Sequence, residues 1–335
     1  MEKKEPSRVV VITGASAGVG RATALAFARR GSKVALLARG QEGLDGACRE
    51  VERAGGTALA IATDVADAAA VDRAAARVEA EFGPIDVWVN DAMVSVFAPF
   101  KEMTADEFRR VTEVTYLGQV HGTMAALRYM LPRNRGCIVQ VGSALAYRSI
   151  PLQSAYCGAK AAIRGFTDSL RCELIHDKSQ VRITMVQMPA LNTPQFSWTR
   201  NRMPHKAQPV PPIFQPEVAA RAIVWASEHP RRELYVGWPA IKAIVFGSKL
   251  APAIGDHVLG RTGYESQQTA EPRDPASPDN LFAPVPGDHG AHGTFDGRAT
   301  SRSPALWAST HRVPGALALA LLASGAALLA YRFTR

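Results

Sequence analysis

Tyr156 and Lys160, four residues apart, are the side chains whose types and spacing most directly suggest proton chemistry. On a helix, positions i and i+4 share one face, a turn apart. A free phenol has a pKa of about 10 and exchanges protons poorly at neutral pH; lowering it by ~3 units takes roughly 4 kcal/mol of preference for the phenolate. One ammonium at ~4 Å, in an effective dielectric of ~20, supplies about that much. The pair therefore suits a tuned acid/base, provided that other elements hold it beside a substrate. Thirteen residues upstream stands Ser143.

The positioning elements begin at the N-terminus. Residues 8–12 are a short apolar run rich in β-branched side chains and read as a buried strand. They lead into Thr13, Gly14, Ala15, Ser16, Ala17, Gly18, Val19 and Gly20, and then into an alanine-rich helix predicted over 21–30. A strand, a glycine turn and a helix N-terminus in succession make a phosphate cradle. The glycines admit close backbone approach, and free N–H groups together with the helix dipole favour an anion. The glycine spacing is G-x-x-x-G-x-G, not the commoner G-x-G-x-x-G.

With both motifs in hand, residues 7–240 resemble the short-chain dehydrogenase/reductase family. The resemblance rests on Thr13-Gly14-x-x-x-Gly18-x-Gly20, Asp64-Val65, Asn90-x-Ala92, Ser143, Tyr156-x-x-x-Lys160, and then Pro189 and Thr193, in matching order and separation. It implies an α/β fold of Rossmann type: a doubly wound parallel sheet flanked by helices that binds NAD or NADP and transfers hydride between the nicotinamide and a carbonyl or alcohol. By this resemblance Tyr156 is the general acid/base, Ser143 bonds the substrate oxygen, and Lys160 holds the nicotinamide ribose and lowers the tyrosine pKa. The turn residues Thr13, Gly14, Ser16, Gly18, Val19 and Gly20 belong to the implied cofactor site. Asp64 and Val65 are expected at the adenine. Asn90 and Ala92 are expected by the central strand near the cofactor, and Pro189 and Thr193 near the carboxamide. Homo-oligomers are common in the family.

Two positions depart from the family pattern. Where the family has Asn-Asn-Ala-Gly, this chain has Asn90, Asp91, Ala92 and Met93. Where it has an asparagine in the long helix that follows, this chain has Thr115, whose hydroxyl is suited to a water or a backbone carbonyl. These departures raise an alternative, a non-catalytic NADP-binding scaffold at a membrane. The second strand, 32–37, ends without a carboxylate and is followed by Arg39. An acid there would bond the ribose 2′-hydroxyl of NAD, whereas a guanidinium pairs with the 2′-phosphate of NADP. NADP is therefore the expected cofactor, with Arg39 in its site.

The remaining pattern alternates strand and helix, which predicts a parallel sheet with right-handed crossovers. Strands are expected at 57–62, 85–89, 136–141, 181–187 and 233–236. Helices are expected at 42–54, 67–82, from a capping box at Thr104–Glu107 to Pro132, at 153–176 and at 217–228. Ser143 would lie just past the end of its strand. A proline-rich insertion, 194–216, should overhang the site as a lid, with Phe196, Trp198, Met203 and Phe214 as its apolar wall. Residues 240–250 are apolar and expected to pack on the domain.

The chain has 335 residues and a formal net charge of +9, with dispersed positive charge rather than a Lys/Arg run of the nucleic-acid type. That surface suits cofactor phosphates and an anionic membrane face. Four cysteines without C-x-x-C spacing read as reduced and structural. One catalytic domain, 1–250, leaves a Pro/Gly-rich stretch, 251–312, expected as a disordered linker. His289 and His292 within it have no third ligand beside them, so no metal is expected. Residues 313–331 carry no charge; nineteen residues at ~1.5 Å span ~28 Å, close to a hydrocarbon core. A C-terminal transmembrane helix, a cytoplasmic catalytic domain, no signal peptide and a small apolar carbonyl or alcohol substrate complete the expectation.

Overall fold

The computed structural model describes residues 7–237 and 251–311. Seven strands form one parallel sheet: β1 (Val9–Thr13), β2 (Lys33–Ala38), β3 (Thr57–Ala62), β4 (Val87–Asn90), β5 (Cys137–Ser143), β6 (Arg182–Met188) and β7 (Glu233–Tyr235). Their order, β7-β6-β5-β4-β1-β2-β3, reverses direction between β1 and β4. A cleft opens at such a reversal, outside the strand C-termini, and ligands bind there.

The apolar runs become strands because both faces are covered. On β1, Val10 and Ile12 join one core, while Val9 and Val11 join the other. The first core is closed by α1 (Gly18–Ala28), α2 (Gln41–Arg53) and, beyond a long insertion, α7 (Pro216–Glu228). The second is closed by α3 (Ala68–Phe82), α4 (Ala105–Val111), α5 (Gly118–Met130) and α6 (Ser154–His176). Asp67 caps α3 by accepting from Ala70 N at 3.1 Å, and the Thr104–Glu107 capping box opens α4.

The long helix expected up to Pro132 is broken by a π-helical stretch, Thr112–Leu117. Such stretches gather at functional positions, and this one carries Thr115. The second core is completed from an unexpected direction, since the fully buried Leu281 packs into it.

Residues 251–311 correct the expectation of a disordered linker. Helix α8 (Pro252–Thr262) is followed by a strand, Gln268–Pro272, antiparallel to His205–Ala207. Ala299–Thr300 pairs with Ile213–Phe214, and α9 (Pro304–Thr310) lays Leu306 into the first core. The stretch has too few apolar residues to show a period. It is ordered by two leucines set into the cores, Leu281 and Leu306, and by polar ties to distant side chains, which composition does not display.

The expected membrane helix at 313–331 and the expected packing of 240–250 fall outside the described residues. Among the described residues no helix is long and apolar enough to cross a membrane.

Candidate active site

The site is built on the first strand-to-helix turn. Gly14 has φ +72°, and a Cβ there would meet Ala92 Cα at 2.9 Å; Gly18 has φ +57°. Side chains are therefore excluded from both, and the backbone forms a cradle against the end of β4. Thr13 holds the two strand ends together: its hydroxyl accepts from Asp91 N at 3.0 Å and Ala92 N at 3.1 Å. One continuous cavity of about 860 Å³ runs from this cradle over the C-terminal edge of the sheet. That volume falls in the ~300–1,000 Å³ range of ligand clefts.

At one end of the cavity stand Ser143, Tyr156 and Lys160. Ser143 is the last residue of β5, not a residue beyond it, and its Oγ accepts from Leu145 N at 3.1 Å. Its hydroxyl also bonds the Tyr156 phenol. Tyr156 and Lys160 lie in the first two turns of α6, as their spacing predicts. Lys160 Nζ lies 5.5 Å from the centroid of the Tyr156 ring and donates to Val141 O at 2.7 Å.

The expected lowering of the Tyr156 pKa is not what this geometry gives. Burial pushes the phenol well above its ordinary value, with the Ser143 hydrogen bond working against the rise. Burial also lowers the Lys160 ammonium, against the pull of Asp91. Both directions follow from removing a charged form from water.

At the other end of the cavity lie Arg39, Asp64 and Val65, with Gly14, Ser16, Gly18, Val19, Ala92, Pro189 and Thr193 between the two ends. Ten further residues of the expected set thus become a single wall only through the fold; three of the expected cofactor residues stay behind it. Thr13 is turned to the strand ends. Gly20 sits under the turn, where a Cβ would meet Gly14 O at 2.4 Å. Asn90 is fully buried and donates to Gln119 O, Thr123 Oγ1 and Gln140 Oε1 at 2.9–3.3 Å while accepting from Trp88 Nε1 at 2.8 Å. These residues shape the site without facing the cavity.

Two of the four expected lid residues, Phe196 and Trp198, line the cavity. Met203 instead packs with Phe97, Leu152 and Ala207, and Phe214 lies in the first core. Short strands of the insertion pair with Val96–Phe97, Gln268–Pro272, Ala190–Leu191 and Ala299–Thr300, which turns those two side chains inward.

Several residues outside the expected site set also shape the cleft. Met93 faces the cavity where the family keeps glycine. Thr115 is fully buried and pins the same loop, donating to Val94 O at 2.8 Å and accepting from Val94 N at 3.1 Å. It bonds a backbone carbonyl, one of the two partners its hydroxyl suits. Asp91 lines the cavity beside Lys160 and accepts from Gly20 N. Burial raises its pKa, opposed by Lys160 and that N–H. Arg110 pairs with Asp64; burial works against ionisation of that carboxyl, but Ala66 N–H and Arg110 hold it below its ordinary value. Asp91 and Met93 were visible as departures, whereas nothing local marks Arg110.

The fold agrees with what is known of similar proteins. Residues 8–203 match the family model for short chain dehydrogenase. The chain belongs to the short-chain dehydrogenase/reductase family, and it is an NAD(P)-dependent oxidoreductase of that family. It is 34% identical over 327 residues to the uncharacterized oxidoreductase YxnA of Bacillus subtilis, covering 97% of this chain and 91% of that protein. The similarity therefore runs beyond the segment that the family model matches. A fatty acyl-CoA reductase of Acinetobacter baylyi is 31% identical, over 67% of this chain and 75% of its own length. Among solved structures, an alcohol dehydrogenase from the archaeon Thermococcus sibiricus, complexed with 5-hydroxy-NADP, is similar with a TM-score of 0.59 and 28% identity, over 68% of this chain and 95% of that one.

Proposed function

We propose that this chain is an NADP(H)-dependent oxidoreductase that interconverts a carbonyl and a secondary alcohol on an apolar, elongated molecule. The observation that carries this reading is the grouping of Ser143, Tyr156 and Lys160 at one end of a cavity whose other end holds Arg39. The cradle fits a dinucleotide, because Gly14 and Gly18 at positive φ keep side chains out of the turn and α1 begins there, at Gly18. The dinucleotide, when bound, supplies the hydride donor or acceptor.

The chain's own residues handle the proton. Ser143 and Tyr156 present two hydroxyls to one substrate oxygen. Tyr156 gives its proton to the oxygen as it gains charge in reduction, and takes one back in oxidation. Lys160 brings the positive charge that the phenolate needs, and its placement 5.5 Å from the ring is within range of that task.

For NADP speak the absence of a carboxylate at the end of β2 and the presence of Arg39 on the cavity wall. The archaeal dehydrogenase with its NADP derivative points the same way. For an apolar substrate speak Phe97, Leu145, Ile150, Val210, Ile254 and Val258, which line the cavity. Ile254 and Val258 are 67% and 53% exposed, so the apolar lining continues to the surface along α8. A long chain would leave the cavity there, in keeping with the acyl-CoA reductase among the relatives. We further infer that residues 313–331 anchor the protein to a membrane, with the catalytic domain on the cytoplasmic side, where a lipid substrate partitions. The charge-free stretch supports this reading.

The test is Tyr156→Phe in the full chain, assayed with NADPH and with NADH across ketones of increasing chain length. Turnover should fall by about 10²–10⁴-fold, with NADPH fluorescence titration unchanged and kcat/KM of the parent rising with chain length. Undiminished turnover in the variant would remove the assigned role.

A further inference from the structure

The segment 279–296, beyond the residues that carry the family motifs, lies across the cleft. It enters at the end assigned to adenosine. There Arg39 donates to Asn280 O and, at 3.3 Å, to Leu281 O, and Arg110 Nε donates to Leu281 O at 3.1 Å. Arg200 holds Asp279 at 2.9 Å, and Asn280 N donates to Trp198 O at 3.0 Å. The segment then passes over the glycine turn. Asp288 pairs with Arg21, whose side chain is 2% exposed and also holds Glu50. Gly290 O accepts from Gly18 N at 3.1 Å, so the strap caps the very turn that forms the cradle. It leaves beside Thr193, where Asn192 Oδ1 accepts from Phe295 N at 3.0 Å and Asn192 Nδ2 donates to Asp296 at 2.8 Å.

The strap covers the cavity without filling it. Asn280, Pro284, Val285, Gly287 and His289 form part of the cavity lining, opposite residues of the glycine turn and β2. His289 sits edge-on to Trp198 with ring centroids 4.6 Å apart, and Pro284 packs against Gly40 just after β2. A segment that merely packed on the surface would not contribute to the wall of the dinucleotide cleft at both of its ends.

We propose that residues 279–296 are the outer wall of the dinucleotide site, contribute binding residues to it, and must lift for the cofactor to enter or leave. The proposal rests on the dinucleotide reading of the cleft. Substrate exchange has a separate route, along α8. Apart from Leu281, seated in the second core at the strap's first end, the ties that hold the strap are hydrogen bonds and ion pairs to backbone carbonyls and partly exposed carboxylates, the kind of contact that opens locally while a core stays folded.

A reversible staple tests this. A Cβ at Gly40 lies 3.3 Å from Pro284 Cβ, near the ~3.5–4.5 Å of a disulfide. In the full chain carrying Gly40→Cys and Pro284→Cys, NADPH association and dissociation are followed by stopped-flow fluorescence, oxidised and after dithiothreitol, with the cross-link confirmed by mass. The expected result is slowing of both rates by at least about tenfold in the oxidised form and recovery on reduction. Equal rates in the two forms would overturn the proposal. Should the cross-link not form, Asp288→Ala gives the answer: dissociation several-fold faster supports the strap, and an unchanged rate overturns it. A reduced protein that binds neither NADPH nor NADH would sink the dinucleotide reading itself, and the strap with it.

Discussion

The sheet domain and the segment that lies across it are held together by different physics. In the sheet, side chains such as Leu36, Leu37, Val139 and Ile138 are fully buried, and β1 to β6 each feed two cores at once. Apolar burial of this kind is non-directional and cooperative. In the strap, Leu281 is an isolated deep anchor, and the other ties, mostly polar, include Arg21–Asp288, Arg200–Asp279, Arg39 and Arg110 to main-chain carbonyls, and Asn192 to the 293–296 turn. The comparison teaches that one chain can combine a rigid scaffold for hydride and proton transfer with a cover whose opening leaves the scaffold intact.

The sharpest way to break that contrast is to delete the same side-chain volume in each region. Leu36→Ala should cost about 2–5 kcal/mol of global stability, read as a large drop in denaturant midpoint. Leu281→Ala removes an equally buried leucine, yet its loss should appear as a raised KM for the dinucleotide and faster proteolysis of the strap, with less than half the midpoint shift. Equal midpoint shifts would mean that strap and sheet unfold as one unit.

A second, smaller effect concerns the acid beneath the glycine turn. Asp91 supports the charge of Lys160, which burial otherwise lowers. Asp91→Asn should therefore move the Lys160 pKa down and bring the alkaline limb of the kcat/KM–pH profile to lower pH by roughly one unit. The parent also has a stability consequence. A buried carboxyl with a raised pKa is least unfavourable when protonated, so stability falls as pH rises from the ordinary carboxyl range to the raised folded value. Equilibrium denaturation of parent and variant across that window measures it. A variant profile superimposable on that of the parent would remove Asp91 from the proton account.

The smallest effect belongs to the strap's far end. Burial works to lower the His292 pKa, but Glu217 and Asp296 raise it above its ordinary value. The sign is that of a base gaining partners. The contribution is complete below the unfolded pKa of ~6.5 and is lost as pH rises through the folded one. Cofactor dissociation should therefore quicken modestly as pH climbs past neutrality, and His292→Gln should flatten that dependence while leaving the Asp91-linked change in place. A dependence that survives the substitution assigns it elsewhere.

Most of the sheet was legible because its signals are local. A β-branched run before a glycine turn, a capping box at Thr104, and Tyr156 and Lys160 one turn apart each depend on residues within a few positions. The boundaries shift by one to three residues, and Ser143 moves into its strand, because hydrogen bonding to β6 extends β5 beyond its apolar run. The lid was half legible: Phe196 and Trp198 line the cavity, whereas Met203 and Phe214 are drawn inward by strand pairs that no periodicity announces. The strap was not legible at all. Its partners lie far away in sequence, as with Arg21 and Asp288, and polar ties of that span leave no period in the residues that make them.

The sequence by itself determined the family, the glycine turn that opens α1 and the grouping of Ser143, Tyr156 and Lys160 as site candidates, since each is encoded by residue type at short spacing. Tertiary structure alone decided that Lys160 rests on Val141 O under the influence of Asp91, that burial rather than the ammonium governs the Tyr156 phenol, and that a proline- and glycine-rich segment closes the cleft. The reason is the range of the interactions. Helix and strand periodicity is set by neighbouring residues, but desolvation and long-range ion pairing exist only once distant segments have been brought together.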